Sequence, residues 1–313
     1  MRYYFAPMEG LTDSVYRRLH RKYFPGVDKY FTPFFSPTVH RALTPKEARE
    51  LPPADELDTL VVPQILTKNA EDFLWFAGKC AELGYKEVNL NLGCPSGTVF
   101  SKGKGSGMLR DTDSLDRFLD EIFAAAPLPI SVKTRIGVES TEEFPVLLSV
   151  FNRYPIYELT VHPRVRTQLY RGEPDRKIFR YCTVNATAPL CYNGNLCSKA
   201  DIGSFSAQFP ECSAVMLGRG LIADPGMLSG GTRRETLQAF LDELLSSYIE
   251  VFGSERNAMF RMKENWFYIL HKFDDSEKLG KRLRKTTDMQ EFKSITREIF
   301  ETLPLRESID PNL

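Results

Sequence analysis

The chain has 313 residues, 42% hydrophobic and 26% charged, an ordinary globular profile that excludes a low-complexity or fibrous protein. Its 41 basic residues balance 41 acidic ones, so net charge gives no reason to expect a polyanion, and any such partner must be met by local clusters. The cysteines Cys80, Cys94, Cys182, Cys191, Cys197 and Cys212 form no Cys-x-x-Cys pair, which reads as reduced thiols with no disulfide framework and no metal site. No signal-peptide core and no apolar run of membrane-spanning length is present, so the expectation is a soluble, cytoplasmic protein.

Short apolar runs alternate with helical patterns. The strand candidates in chain order are Tyr3–Ala6, Lys29–Thr32, Leu60–Leu66, Glu87–Leu92, Ile130–Thr134, Glu158–His162, Pro189–Asn193 and Ala214–Leu217. Between them, Asn69–Leu83 carries a stripe of Phe73, Leu74, Phe76, Ala77, Cys80 and Ala81. Thr112–Ala125 carries Leu115, Phe118, Leu119 and Ile122, and Thr141–Tyr154 and Ser198–Phe209 read similarly. Eight strands alternating with helices predict an α/β fold, a (β/α)8 TIM barrel over residues 1–232, with a doubly wound open sheet as the alternative. From Arg233 the strand signals stop. Thr236–Phe252, Asn257–Lys272 and Asp288–Leu303 predict a small all-helical domain over 233–313.

A barrel of this kind builds its chemistry at the C-terminal ends of its strands. Polar groups collect there. The first strand runs into Pro7-Met8-Glu9, the third carries Gln64, and the fourth ends in Asn89-Leu90-Asn91-Leu92-Gly93-Cys94-Pro95. The later ends supply Lys133 and Arg135, His162 and Arg164, Asn193-Gly194, and Gly218-Arg219-Gly220. Such a ring is a typical place for a bound cofactor. The glycines after the last two strands let a ligand approach the backbone, and the loops there often hold a phosphate, to which Arg219 adds a charge. Lys133 and His162 can stabilise negative charge on a reduced flavin. Gln64 and Asn91 can bond the pyrimidine edge of its ring.

At these residues the sequence resembles the tRNA-dihydrouridine synthase family. The motifs are Ala6-Pro-Met-Glu-Gly-Leu-Thr-Asp13, Asn91-Leu-Gly-Cys-Pro95, Val132-Lys-Thr-Arg135, Val161-His-Pro-Arg164, Asn193-Gly194 and Leu217-Gly-Arg-Gly220. The resemblance implies FMN in the barrel, NADPH as reductant and a C-terminal helical domain that grips tRNA. It implies FMN contacts from Pro7, Met8, Gln64, Lys133, His162, Asn193, Gly194, Gly218 and Arg219, with Asn91 facing both flavin and uracil. Two departures stand out: Pro163 follows the strand-six histidine where the family usually has Gly, and Gly105-Ser106-Gly107-Met108 replaces a Gly-Ala pair. Neither removes a side chain the chemistry needs.

Saturating the uracil C5–C6 bond adds a hydride to one carbon and a proton to the other. A thiol, with an unperturbed pKa of about 8.5, is mostly protonated near neutral pH and suits the second task. Cys94 is the candidate catalytic acid. Its following segment, Ser96–Met108, carries glycines 97, 103, 105 and 107 with Lys102 and Lys104, which reads as a flexible basic lid. A flipped base costs a few kcal/mol that phosphate contacts must offset. The expected substrate contacts are therefore Asn91, Lys102, Arg135, Arg164 and Arg166, with Lys281, Arg282 and Arg284 in the basic run 278–285. Arg171, Arg261 and Lys263 extend the same basic strip. Arg135 is open between a substrate ligand and a rim salt bridge, and Trp266 between core and RNA stacking. The rival readings are an FMN reductase of a small pyrimidine, reduction of uridine in another RNA, and an RNA-binding protein without catalysis. A monomer suffices to engage tRNA.

Overall fold

The computed structural model of the chain describes residues 1–53 and 61–309. Its strands are β1 (Arg2–Phe5), β2 (Lys29–Phe31), β3 (Val61–Val62), β4 (Gln64–Ile65), β5 (Val88–Leu92), β6 (Ile130–Arg135), β7 (Leu159–His162), β8 (Leu190–Asn193) and β9 (Ala214–Leu217). They form one parallel sheet in the order β3-β2-β1-β9-β8-β7-β6-β5-β4. The two end strands are consecutive in sequence and separated by Pro63 alone. A proline has no N–H for the ladder, so it splits one stave into two. The sheet therefore closes into the expected eight-stave barrel, with the third stave counted twice. Leu60, the first residue of that expected strand, lies outside the described residues.

Two compact units partition the chain. The first comprises Met1–Pro7, Asp28–Asn195 and Ser206–Met216. Its sheet register sorts the interior. Tyr4, Ala6, Phe31, Val62, Cys191, Ala214 and Met216 pack as one buried apolar cluster. The staves β4 to β7 instead turn Gln64, Asn89, Asn91, Ser131 and Thr160 into the interior, all buried, while Leu90 and Leu92 face the other way. At the N-terminal ends of the strands an ionic plug closes the lumen. Lys29 pairs with Glu87 at 2.6 Å, and Glu158 accepts from Arg2 at 2.9 Å and from the Tyr4 hydroxyl at 2.8 Å. A ligand must therefore enter from the opposite end. The sequence-predicted helices form as Ala70–Glu82 and Thr112–Ala125, each capped by an acidic or amide side chain, Asn69 and Asp111 respectively. The stretch 141–154 forms a 3₁₀ turn followed by the helix Phe144–Phe151. Arg176–Asn185, capped by Asp175, escapes the sequence pattern because its buried apolar face is only Phe179 and Cys182.

The second unit comprises Met8–Val27, Leu196–Phe205 and Leu217–Leu313. It takes in the helical tail and, with it, the helix Ser14–Tyr23, whose run of Arg and Lys hides its amphipathic period. The tail forms Arg234–Phe252, Glu255–Ile269, Glu277–Lys285 and Met289–Thr302. Gly253, at φ +59°, ends the first of these in the left-handed region. Phe240 receives Tyr16 and Phe24 edge-on at 5.5 and 5.3 Å, which binds Ser14–Tyr23 to Arg234–Phe252. Trp266 is 2% exposed and meets Phe300 edge-on at 5.8 Å. It is a core residue, so the stacking alternative falls away. Among the described residues no helix is long and apolar enough to cross a membrane.

Candidate active site

Parallel register places paired residues on the same face, and here it stacks Gln64 beside Asn89, Asn89 beside Ser131, Asn91 beside Lys133 and Arg135 beside His162. The amides form a directed chain. The backbone N–H groups of Gly93 and Cys94 donate to Asn91 Oδ1 at 3.0 and 2.9 Å. Asn91 Nδ2 donates to Gln64 Oε1 at 2.7 Å, Gln64 Nε2 to Asn89 Oδ1 at 2.7 Å, and Asn89 Nδ2 to Ser131 Oγ at 2.8 Å. Each carboxamide uses its oxygen and one N–H inside the chain, so each retains an N–H for something else.

Cys94 is half-buried at the rim, whereas the other five cysteines are buried. Its carbonyl accepts from Ser106 through the backbone N–H at 3.2 Å and through Oγ at 2.7 Å. The segment that follows is ordered, which corrects the expectation of a flexible lid. It forms the helix Gly97–Ser101 and a 3₁₀ turn Gly105–Arg110 in which Gly105 to Leu109 are buried. Two of its four glycines serve close approach. A Cβ on Gly105 would lie 3.0 Å from Cys94 Cβ, and one on Gly107 would lie 2.8 Å from the Phe100 carbonyl oxygen. Phe100 lies under two guanidinium groups, Arg166 at 4.0 Å and Arg110 at 4.4 Å from its ring centre. These contacts fasten the post-Cys94 segment to the loop after β7. Lys104 donates to Ser36 Oγ at 3.0 Å, and burial, then the nearby Lys102 and Lys68 charges, lower its pKa against the pull of Asp72. Lys102 is exposed.

Lys133 points into the lumen from β6, with no hydrogen bond or ion pair to its ammonium among the described residues. Burial, reinforced by the Arg135 charge, pushes its pKa down to about 8. On β7, His162 is 7% exposed and its Nε2 lies 3.0 Å from Arg164 Nη1. A guanidinium only donates, so Nε2 accepts and the ring proton sits on Nδ1. Arg164 is fully buried and also donates to the Gly172 carbonyl. It orients His162 and is not displayed toward solvent, unlike the substrate contact expected of it. Arg135 is 1% exposed and donates to the carbonyls of Gly93, Val165 and Leu169 at 3.0, 3.0 and 2.8 Å. Among the described residues it makes no rim salt bridge. It ties the Cys94 turn to the loop after β7, a positioning role where a substrate ligand was expected. On β8, Asn193 Nδ2 donates to the Met216 carbonyl at 2.8 Å. A Cβ on Gly194 would lie 2.9 Å from Pro174 Cγ, so that glycine is required by packing. Pro7 is half-buried at the end of β1.

In the second unit Met8 is half-buried and opens a turn, its N–H donating to Thr12 Oγ1 at 2.8 Å. Gly218 and Arg219 begin the helix Arg219–Ala223. The basic strip is only partly at the surface. Arg261 donates to the Gly10 carbonyl and to Glu264, and Lys263 caps the helix Glu277–Lys285 through the carbonyls of Arg284 and Thr286. Arg282 pairs with Glu298 at 2.8 Å. Lys281 and Arg284 are exposed on the same helix as Lys278 and Lys285. Sequence reasoning missed Phe100 and Lys68, and it placed Asn89 at the end of the fourth strand without giving it a role. Asn89 was legible, being two residues from Asn91 and hence on the same strand face. Phe100 and Lys68 carry no local signal, because their partners come from other loops.

The model of the dihydrouridine synthase family matches residues 4–303. The tRNA-dihydrouridine(16) synthase of Shigella flexneri is 28% identical over 300 residues, covering 91% of this chain and 94% of that protein. tRNA-dihydrouridine synthase B of Pasteurella multocida is 25% identical, covering 72% of this chain and 67% of its own length. Among solved structures, histamine dehydrogenase from Rhizobium sp. 4-9 superposes with a TM-score of 0.54 at 12% identity, over 84% of this chain and 49% of that one, a likeness of fold alone. With a barrel whose strand ends carry Asn91, Cys94, Lys133 and His162 in order, and a family match across nearly its whole length, the chain belongs to the dihydrouridine synthase family.

Proposed function

We propose that the chain is a cytoplasmic, monomeric flavin-dependent reductase that converts uridine in tRNA to dihydrouridine, with FMN as cofactor and NADPH as reductant. The observation that carries the reading is the set of donors on the wall of the lumen: spare N–H groups on Gln64 and Asn91 beside a Lys133 ammonium that has no hydrogen bond or ion pair among the described residues. The pyrimidine side of a flavin offers acceptors at N1, C2=O and C4=O beside its N3–H donor, and the donor set fits those acceptors. When bound, FMN supplies the hydride and is restored by NADPH. Lys133, still mostly charged at neutral pH, balances negative charge, and His162 offers its Nδ1 proton as a further donor. Asn193 and Gly194 are proposed to border the phosphate. Pro7, Met8, Gly218 and Arg219 enter the reading on their motifs alone. Cys94 gives the proton to the uracil carbon next to the one that takes hydride, and Asn91 orients the base. Lys68, Lys102 and Lys104 are proposed to meet RNA phosphates near Cys94, with Arg166 holding that segment closed. The segment 233–313 is proposed to bind tRNA through Lys278, Lys281, Arg284 and Lys285. The relatives' names, which specify tRNA, support this substrate over a free pyrimidine.

The test is a visible spectrum of the purified protein and an assay of NADPH-driven dihydrouridine formation in unmodified tRNA. We expect flavin absorption, and for Cys94→Ala a loss of at least about a hundredfold in turnover with flavin content kept. A colourless protein that cannot be reconstituted with FMN ends the reading. Turnover of free uracil or orotate without turnover of tRNA replaces the substrate.

A further inference from the structure

We infer that Asn89 is a positioning residue for Cys94, acting through Gln64 and Asn91. The amide chain can run in one direction only. The N–H groups of Gly93 and Cys94 cannot accept, so Asn91 Oδ1 must face them, and the orientation of every amide below follows. Asn89 is the last amide and is fully buried, and its oxygen is the acceptor that holds Gln64 Nε2 at 2.7 Å. Gln64 in turn holds Asn91, whose oxygen fixes the turn that bears the thiol. Without the acceptor at residue 89, Gln64 must leave a buried N–H unsatisfied or swing away. Swinging away releases Asn91 Nδ2 from its partner. The same chain presents the spare N–H groups of Gln64 and Asn91 to the lumen. Asn89 therefore acts on flavin affinity as well, and that second consequence rests on the FMN reading above.

Two readouts separate the inference from that reading. The first is the rate at which an aromatic disulfide reagent labels Cys94 in flavin-free protein, which is clean because the other five cysteines are buried. The second is the FMN dissociation constant from quenching of flavin fluorescence. Asn89→Leu, of similar volume, should change the labelling rate about fivefold or more, the scale of one lost buried hydrogen bond, and weaken FMN about tenfold. Asn89→Asp keeps an acceptor toward Gln64, and the Ser131 hydroxyl can turn to donate, so it should recover most of both losses. If Asn89→Leu fails to fold, Asn89→Ser, too short to reach Gln64, carries the same expectation. A folded Leu or Ser variant with unchanged labelling and unchanged FMN affinity overturns the inference, as does an Asp variant no better than the Leu one. If wild type binds no FMN while Cys94 labelling still responds to residue 89, the flavin reading fails and the positioning role stands.

Discussion

Lys133 offers the sharpest quantitative test, because its cost to the free protein and its use in the liganded one have opposite signs. Burial lowers its pKa from 10.5 to about 8. At about 1.36 kcal/mol per pKa unit, holding the amine charged costs the flavin-free protein up to about 3 kcal/mol at neutral pH. Between pH 8 and 10.5 the unfolded chain keeps a proton that the folded one has released, so stability rises with pH across that window. Below pH 8 the full cost applies. Lys133→Met removes the charge at similar length. The flavin-free variant should therefore be more stable than wild type by about 2–3 kcal/mol at pH 7, with the advantage fading toward zero near pH 10.5. Urea unfolding of both proteins at four pH values between 6.5 and 9.5 gives the difference, in which the titration of other groups cancels. Added FMN should reverse the ranking, since a ligand stabilises the native state by mass action and wild type should bind it more tightly. A difference that does not vary with pH, or a variant less stable than wild type at pH 7, refutes the reasoning.

Two further outcomes follow from the second unit. Lys272 and Asp224 form a pair at 2.8 Å with side chains 2% and 7% exposed, and Lys272 also donates to the Glu307 carbonyl at 2.9 Å. Lys272→Met strands the carboxylate and should cost about 3–5 kcal/mol in urea unfolding, much of it restored by adding Asp224→Leu; a loss below about 1 kcal/mol contradicts a buried pair. Lys281→Glu with Arg284→Glu, leaving the Arg282–Glu298 pair intact, should weaken tRNA binding and flatten its dependence on log salt by roughly one to two units with the flavin spectrum unchanged. Unaltered tRNA affinity and slope would remove this helix from the RNA-binding surface.

What the sequence disclosed was governed by range. The staves were legible because short apolar runs and the turns that bound them are local, and those runs put Asn91, Lys133 and His162 at strand ends. The single strand spanning 60–66 was legible too, though not its division at Pro63, which depends on which neighbour needs an N–H. The role of each arginine was not legible. Arg135, Arg164 and Arg166 all follow strand ends, and composition gives them one reading. One binds three backbone carbonyls, one fixes a histidine tautomer, and one lies on Phe100. Those fates are set by loops distant in sequence. The glycines at 105 and 107 misled for the same reason. A glycine that flexes and one that admits a neighbouring backbone look alike until the neighbour is placed.

The division of labour inside the lumen has a physical logic. Asn89, Gln64 and Asn91 satisfy one another when no ligand is present, so a neutral amide row costs little to keep dry and preformed. An ammonium cannot be satisfied that way. A carboxylate placed beside Lys133 would make the resting protein more stable but would compete for the same ligand. Among the described residues Lys133 has no such partner, and the carboxylates Glu87 and Glu158 sit at the far end of the strands with Lys29 and Arg2. Burial thus weighs on Lys133 as it does on Arg135, but Arg135 donates to three backbone carbonyls, so an electron-rich ring gains the most by meeting Lys133. The rim above follows the opposite rule. Around Cys94 the backbone groups are hydrogen-bonded and Gly105 and Gly107 are packed against neighbouring backbone, so the turn that bears the thiol is held in place. A proton donor needs a fixed position relative to the carbon it serves, which is why the same few residues that tie down the turn also bear on its chemistry.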